Sequence, residues 1–192
     1  YRAGLKQGAF PDLAIKLHAV TKAGGKSAEA EKMAASWLRD NPKDLTMRMY
    51  LAQEAIATKD MAAAEKLYQS VVQIQPNNAL AYNNLAWVTG QLKKDGAIAY
   101  AEKALALVPG QPAYMDTLAM LLLDKNDLAK ALEWQTKAVG LQPDNSVFKL
   151  NLARIHIKNG NKDQARKELD ELAKLGDKFG GQAQVAELRK SL

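Results

Sequence analysis

His18 and His156 are the only histidines in the chain. An imidazole can serve as acid, base or metal ligand near neutral pH. It needs a second ligand or an orienting group within reach, and neither histidine has one at helical spacing. No cysteine is present, so disulfides and thiolate metal sites are excluded. Gly24-Gly25-Lys26-Ser27 has the ending of a phosphate-cradling loop, but the leading glycine would fall at Val20 and no strand precedes it. It is read as a loop between two helices. Asp170 and Glu171 are adjacent, point to different helix faces and are read as solvated charge. No metal or cofactor is expected, and the chain is read as noncatalytic.

The basic run Lys158, Lys162, Arg166, Lys167, Lys174 and Lys178 is the best candidate for a phosphate track. It is interleaved with Asp163, Glu168, Asp170 and Glu171, a pattern of surface pairs one helical turn apart. Of the 27 basic residues 21 are lysine, whereas phosphate recognition favours clustered arginine. Residues 158–178 are therefore read as a solvated face. Nucleic-acid binding there is the distant alternative.

The elements that must position any site are helices. Pro42, Pro76, Pro109 and Pro143 recur at steps of 34, 33 and 34 residues, each closing an Ala/Leu-rich amphipathic segment. The spacing predicts helix pairs over 12–23 with 27–40, 45–57 with 61–74, 79–91 with 95–107, 112–124 with 128–141, and 146–158 with 162–175. The tail of an upstream helix is expected over 2–8 and a last helix over 182–191. Pro11 and Pro112 suit a first helical position. Asp60, Asp95, Asp127 and Asp163 stand where a carboxylate caps a second helix, and Ser27 gives a bare cap. Small residues fall where paired helices must cross: Ala52 with Ala64, Ala86 with Ala97, Ala119 with Ala131, and Ala153 with Ala165. Gly180-Gly181-Gln182 reads as a hinge before the last helix. No apolar run approaches the roughly 18 residues of a membrane span, so this stretch is not expected to insert into a bilayer. The chain begins at Tyr1 and is read as a piece of something longer.

Tyr82, Leu85, Ala86, Ala97, Ala104 and Pro109 carry a resemblance to the tetratricopeptide repeat. The pattern extends over residues 11–179 as five repeats: 11–44, 45–78, 79–111, 112–145 and 146–179. Residues 1–10 form a lead-in and 180–192 a capping helix. The first repeat has His18 at the usual Gly/Ala position and Trp37 at a usual Ala, and the last lacks the closing proline. The resemblance implies an all-α, right-handed α-solenoid whose first helices line a concave surface. Carried over by position, that surface holds Ile15, Met49, Gln53, Ile56, Asn83, Trp87, Asp116, Met120, Leu123, Leu150, Arg154 and Ile157. Each has two readings: open to a partner, or packed against neighbouring helices and the C-terminal helix. Some members of this class clamp a C-terminal carboxylate with Lys and Arg beside two Asn. The matching positions here are Met49, Gln53, Asn84, Ala113 and Thr117, of which only Asn84 fits. Without cations a carboxylate loses its charge-assisted bonds, so that clamp is not expected. His156 stands where an aromatic usually packs and is read as a hydrogen-bonded, semi-buried imidazole.

Asn83-Asn84-Leu85-Ala86-Trp87, Ala101-Glu102-Lys103-Ala104-Leu105-Ala106-Leu107 and Leu175-Gly176-Asp177-Lys178-Phe179 carry a narrower resemblance. They are similar to the C-terminal repeats of tetratricopeptide lipoproteins encoded with bacterial PEP-CTERM/exosortase systems. That resemblance implies an exported, lipid-anchored parent, periplasmic or held at the outer membrane, with a role near protein sorting and exopolysaccharide production. Otherwise a cytoplasmic parent is expected. In either case the expected work is protein or peptide binding as a scaffold, the alternative being a structural spacer or self-association module with no free groove.

Overall fold

Each predicted segment carries its apolar residues on one stripe, which two antiparallel helices joined by a tight turn cover only in part. Stacking further hairpins covers the rest. The computed structural model describes residues 10–192, so the expected helix over 2–8 lies outside the described residues. Every regular element among the described residues is helical: α1 (Pro11–Ala23), α2 (Ser27–Asp40), α3 (Leu45–Ala57), α4 (Met61–Ile74), α5 (Ala79–Gln91), α6 (Ala97–Leu107), α7 (Pro112–Asp124), α8 (Leu128–Leu141), α9 (Ser146–Lys158), α10 (Lys162–Ala173), a 3-10 turn (Gly176–Lys178) and α11 (Gln182–Arg189).

The chain divides into two units, Tyr1–Leu92 and Lys93–Leu192, and the division falls between the two helices of the third expected repeat. In the first unit α1 packs on α2 and α3, α3 on α4, and α4 on α5. In the second α6 packs on α7, α7 on α8 and α9, α8 on α9, α9 on α10, and α10 on α11. Each second helix thus meets the first helix of the next pair. The crossings are lined by alanine: Ala52 and Ala64 in the first unit, and Ala119, Ala131, Ala153 and Ala165 in the second, are all at 0% exposure.

The turn inside each pair passes through a left-handed residue. Gly25, Lys59, Lys93, Asn126 and Gly160 all have positive φ. Around Lys59 its own amide bonds the Ile56 carbonyl, and the Asp60 amide reaches back to the Ala55 carbonyl. Asn126 and Asp127 repeat this on Leu123 and Leu122, as do Gly160 and Asn161 on Ile157 and His156. These are the paired bonds that close a helix through one left-handed residue.

The caps agree with the sequence in part. Asp60 accepts from the Ala63 amide and Asp127 from the Lys130 amide, and Pro11 and Pro112 sit in the first turn of α1 and α7. Asp95 caps nothing: α6 begins at Ala97 behind Gly96, whose φ of 91° turns the chain, and Asp95 is fully exposed. Asp163 lies inside α10 and pairs with Arg166 at 3.3 Å. Ser27 is already inside α2, whose N-cap is Lys26. The strongest cap is Asp44, which accepts from the Thr46 and Met47 amides with one oxygen and from the Trp37 indole with the other.

The last helix docks rather than hinges. Val185 of α11 joins Leu150, Ala153, Leu169 and Leu172 in a closed apolar cluster, with Ile157, Phe179, Leu188 and Leu192 packed against it. The Gln182 side-chain amide donates to the carbonyls of Leu172 and Gly176. A Cβ at Gly181 would run into the Phe179 ring, so this glycine serves close approach rather than mobility. The same geometry shortens α10, expected to run to 175, which stops at Ala173 and yields to the 3-10 turn.

Candidate binding faces on the first helices

In the first unit, α1, α3 and α5 are the first helices of their pairs. Two bonds tie α1 to α3: His18 Nδ1 meets the Tyr50 hydroxyl at 2.9 Å, and Lys22 donates to Glu54 at 2.7 Å. The His18 ring also stands edge-on to Tyr50. Ile15, Met49 and Ile56 are half-buried and Gln53 is exposed. On α5 Trp87 keeps 38% of its surface exposed, while Asn83 one turn earlier keeps only 9%. Asn83 donates to Asn84 Oδ1 at 3.4 Å, and its own Oδ1 is buried without a partner. Asn84 donates to the Tyr68 hydroxyl at 3.3 Å, so the one residue that fits the carboxylate clamp is held by a second helix of its own unit.

His18 is buried, and burial followed by the nearby Lys22 charge pulls its pKa down, while Glu54 and Glu31 pull the other way. The folded chain resists a proton that the unfolded chain accepts near an ordinary value of about 6.5. Stability is therefore full above that value and falls as pH drops toward the lowered folded pKa. His156, whose pKa burial also lowers, acts with the same sign. The thermal midpoint of wild type should drop further between pH 7 and pH 5 than that of His18→Gln, because Asp116, whose raised pKa acts with the opposite sign, is common to both. Melting curves with equal slopes for both proteins would contradict it.

In the second unit the first helices are α7 and α9, with α11 beyond them. Asp116 of α7 is half-buried and accepts on Oδ1 from Gln135 of α8 at 2.6 Å and from Asn151 of α9 at 2.9 Å. Gln135 is at 0% exposure, and its side-chain nitrogen also donates to the Phe148 carbonyl at 2.9 Å. Arg154 donates to Asn151 Oδ1 at 3.4 Å and to Gln184 of α11 at 3.0 Å. Burial pushes the Asp116 carboxyl above its usual range, against the downward pull of Asn151, Gln135 and the Arg154 charge. Met120 is half-buried. Lys158 donates to the carbonyl of Leu123 at 2.8 Å.

Asp116 and Arg154, both read from position alone, thus meet in one network through Asn151. Gln135, Asn151 and Gln184 were missed, and Lys158 was read only as part of the basic run. Asn151 and Lys158 sit 35 residues from their partners, and His18 and Lys22 sit 32 from theirs. Pairing complementary residues about one repeat apart would have found these four contacts, though not those of Gln135. Three expectations need correction. Leu150 is 3% exposed and belongs to the cluster under α11, so it offers no free surface; Ile157 packs against that cluster and stays half-buried. Leu123 is 9% exposed and contributes its carbonyl more than its side chain. His156 Nδ1 is buried with no hydrogen-bond partner, unlike the bonded imidazole expected.

The basic run is partly committed to the protein itself. Lys158 holds Leu123, Lys162 donates to the Leu192 carbonyl, and Arg166 pairs with Asp163. Among the described residues no three metal-ligating side chains come together, and no helix is long and apolar enough to cross a membrane.

Two tetratricopeptide-repeat family profiles match this chain, one over residues 22–79 and 90–146 and the other over 122–192. A TPR repeat-containing protein of Pseudomonas aeruginosa is 26% identical over 147 residues, covering 71% of this chain and 24% of that protein. The chain thus spans about a quarter of that relative's length. Among solved structures, MamA from Desulfovibrio magneticus RS-1 (residues 41 to the end) has a TM-score of 0.74 at 18% identity, covering 88% of this chain and 97% of that one. YrrB, described as a TPR protein with an unusual peptide-binding site, has a TM-score of 0.71 at 14% identity, covering 98% and 96%. Likeness at these identities shows the fold, which is the all-α tetratricopeptide α-solenoid. With more than half its length matched by these profiles, the chain belongs to the tetratricopeptide-repeat family.

Proposed function

We propose that this chain is a noncatalytic scaffold whose first-helix faces hold a protein or peptide partner. The observation that carries the reading is Trp87, a large aromatic left 38% exposed one turn from Asn83 in the middle of a helix whose residues on either side of it, Leu85, Ala86 and Val88, are at 0% exposure. Exposed Trp beside polar side chains is the composition of an interface anchor. In the first unit Met49, Gln53 and Ile56 are the other first-helix positions of this reading, with Asn83 mostly buried beside Trp87; the second unit has its own first-helix positions in Asp116, Met120 and Arg154. The five repeats at the boundaries given above, with 180–192 as the cap, are the frame of this reading. The peptide-binding site attributed to YrrB supports it, because that protein has the same fold.

The immobilised chain should retain peptides from a random twelve-residue display library. Trp87→Ala together with Met120→Ala should cut retention by about tenfold or more, the usual effect of losing interface anchors, and leave the circular dichroism spectrum unchanged. Undiminished retention would move the site off these faces. The next place to test would then be the edge of the second unit, where Leu141 and Val147 are 55% and 53% exposed.

The finer reading places the parent among exported PEP-CTERM-system lipoproteins that act near exopolysaccharide production. It rests on the stretches 83–87, 101–107 and 175–179. The upstream sequence of the parent tests it: a lipid-attachment cysteine after a signal peptide supports it, and a parent without one removes it.

A further inference from the structure

We propose that Asp116 selects the partner by taking one basic side chain, a guanidinium or an ammonium, on its free carboxylate oxygen. This deepens the peptide-binding reading above and rests on it. An ionised carboxylate offers about four lone-pair sites. Both donors to Asp116, the side-chain amides of Gln135 and Asn151, fall on Oδ1. Among the described residues Oδ2 takes no hydrogen bond, and no lysine or arginine nitrogen lies within ion-pair distance of the carboxylate. The nearby cation, Arg154, gives its hydrogen bonds to two neutral amides, Asn151 and Gln184.

The support behind Asp116 is built. Gln135 is fully buried, is fixed by the Phe148 carbonyl, and leaves its own Oε1 buried without a partner. An unmade bond of that kind costs stability. What it secures is a carboxylate whose first oxygen is pinned and whose second is presented. Desolvation already disfavours the charge on Asp116, and an incoming cation relieves that cost. The surrounding repeat favours the same ligand. Residues 112–145 carry five acidic against three basic side chains, in a chain whose net charge is +6.

The test uses the same library on the intact chain. Wild type should enrich peptides with Arg or Lys at one aligned position, and Asp116→Asn, which keeps an acceptor for both amides, should lose that preference. Replacing the selected arginine by citrulline in a synthetic peptide should weaken binding to wild type about tenfold and leave binding to Asp116→Asn unchanged. This second arm alters the ligand and so does not depend on the folding of the variant. Enrichment with no basic preference, or an equal citrulline effect on both proteins, overturns the inference while leaving peptide binding standing. No enrichment by wild type overturns both.

Discussion

Val185→Asp should undock the C-terminal helix and cost about 3–5 kcal/mol, the penalty for leaving a carboxylate buried without a partner. Val185 is 2% exposed, and its neighbours Leu150, Ala153, Leu169 and Leu172 offer no polar atom to receive a charge. The polar ties of α11 cannot make up the loss. Its ion pair, Arg189 with Asp170 at 2.8 Å, is half-exposed on both sides, and such pairs contribute about 0–1 kcal/mol. For a chain of this length each kcal/mol moves the midpoint by roughly 2–4 °C, so a fall of about 10 °C is expected in a thermal melt. Trypsin should then cut after Lys178 and Arg189 faster than in wild type. Val185→Ile, which keeps the apolar contact, should do neither. An unchanged melt and digest for Val185→Asp would mean that α11 does not cap the second unit. The functional consequence is direct, because release of α11 bares Leu150 and Ile157 and takes Gln184 from Arg154.

That helix is also where reading by period stops working. Residues 49, 83, 116 and 150 occupy one position of the repeat, yet Asp116 is a half-buried acceptor and Leu150 is core. The sequence rule assumes that the next neighbour is another repeat. After α10 the neighbour is an eight-residue helix preceded by a 3-10 turn, and its apolar side chains fill the face that periodicity left open. Helix spans were legible because their ends obey short-range chemistry. The expected 45–57, 61–74, 79–91, 112–124, 128–141 and 146–158 are α3, α4, α5, α7, α8 and α9 as found. The left-handed turn residues were half legible. Gly25 and Gly160 announce themselves, whereas Lys59 does not, since its positive φ is imposed by the closing hydrogen bonds to Ile56 and Ala55 and not by its own preference. Gln135 was invisible for a different reason. It sits on a second helix, and its role exists only because α8 packs against both α7 and α9. A pattern confined to first helices cannot contain it.

Ala119→Phe should test the crossing on which that arrangement depends. Ala119 of α7 and Ala131 of α8 are both at 0% exposure, on two helices that pack against each other. A phenyl ring cannot enter without moving a helix, and overpacking of this kind costs about 1–3 kcal/mol. The midpoint should fall by roughly 3–10 °C. Ala113→Phe, on an exposed position of the same helix, controls for the change in helix propensity and should leave the melt nearly unchanged. Displacing α7 from α8 also stretches the 2.6 Å bond between Asp116 and Gln135. Ala119→Phe should therefore lose selection for basic peptides along with stability, although residue 119 touches no ligand. A melt equal to wild type would place the crossing elsewhere. A destabilised protein that kept its basic preference would show that Gln135 does not position Asp116.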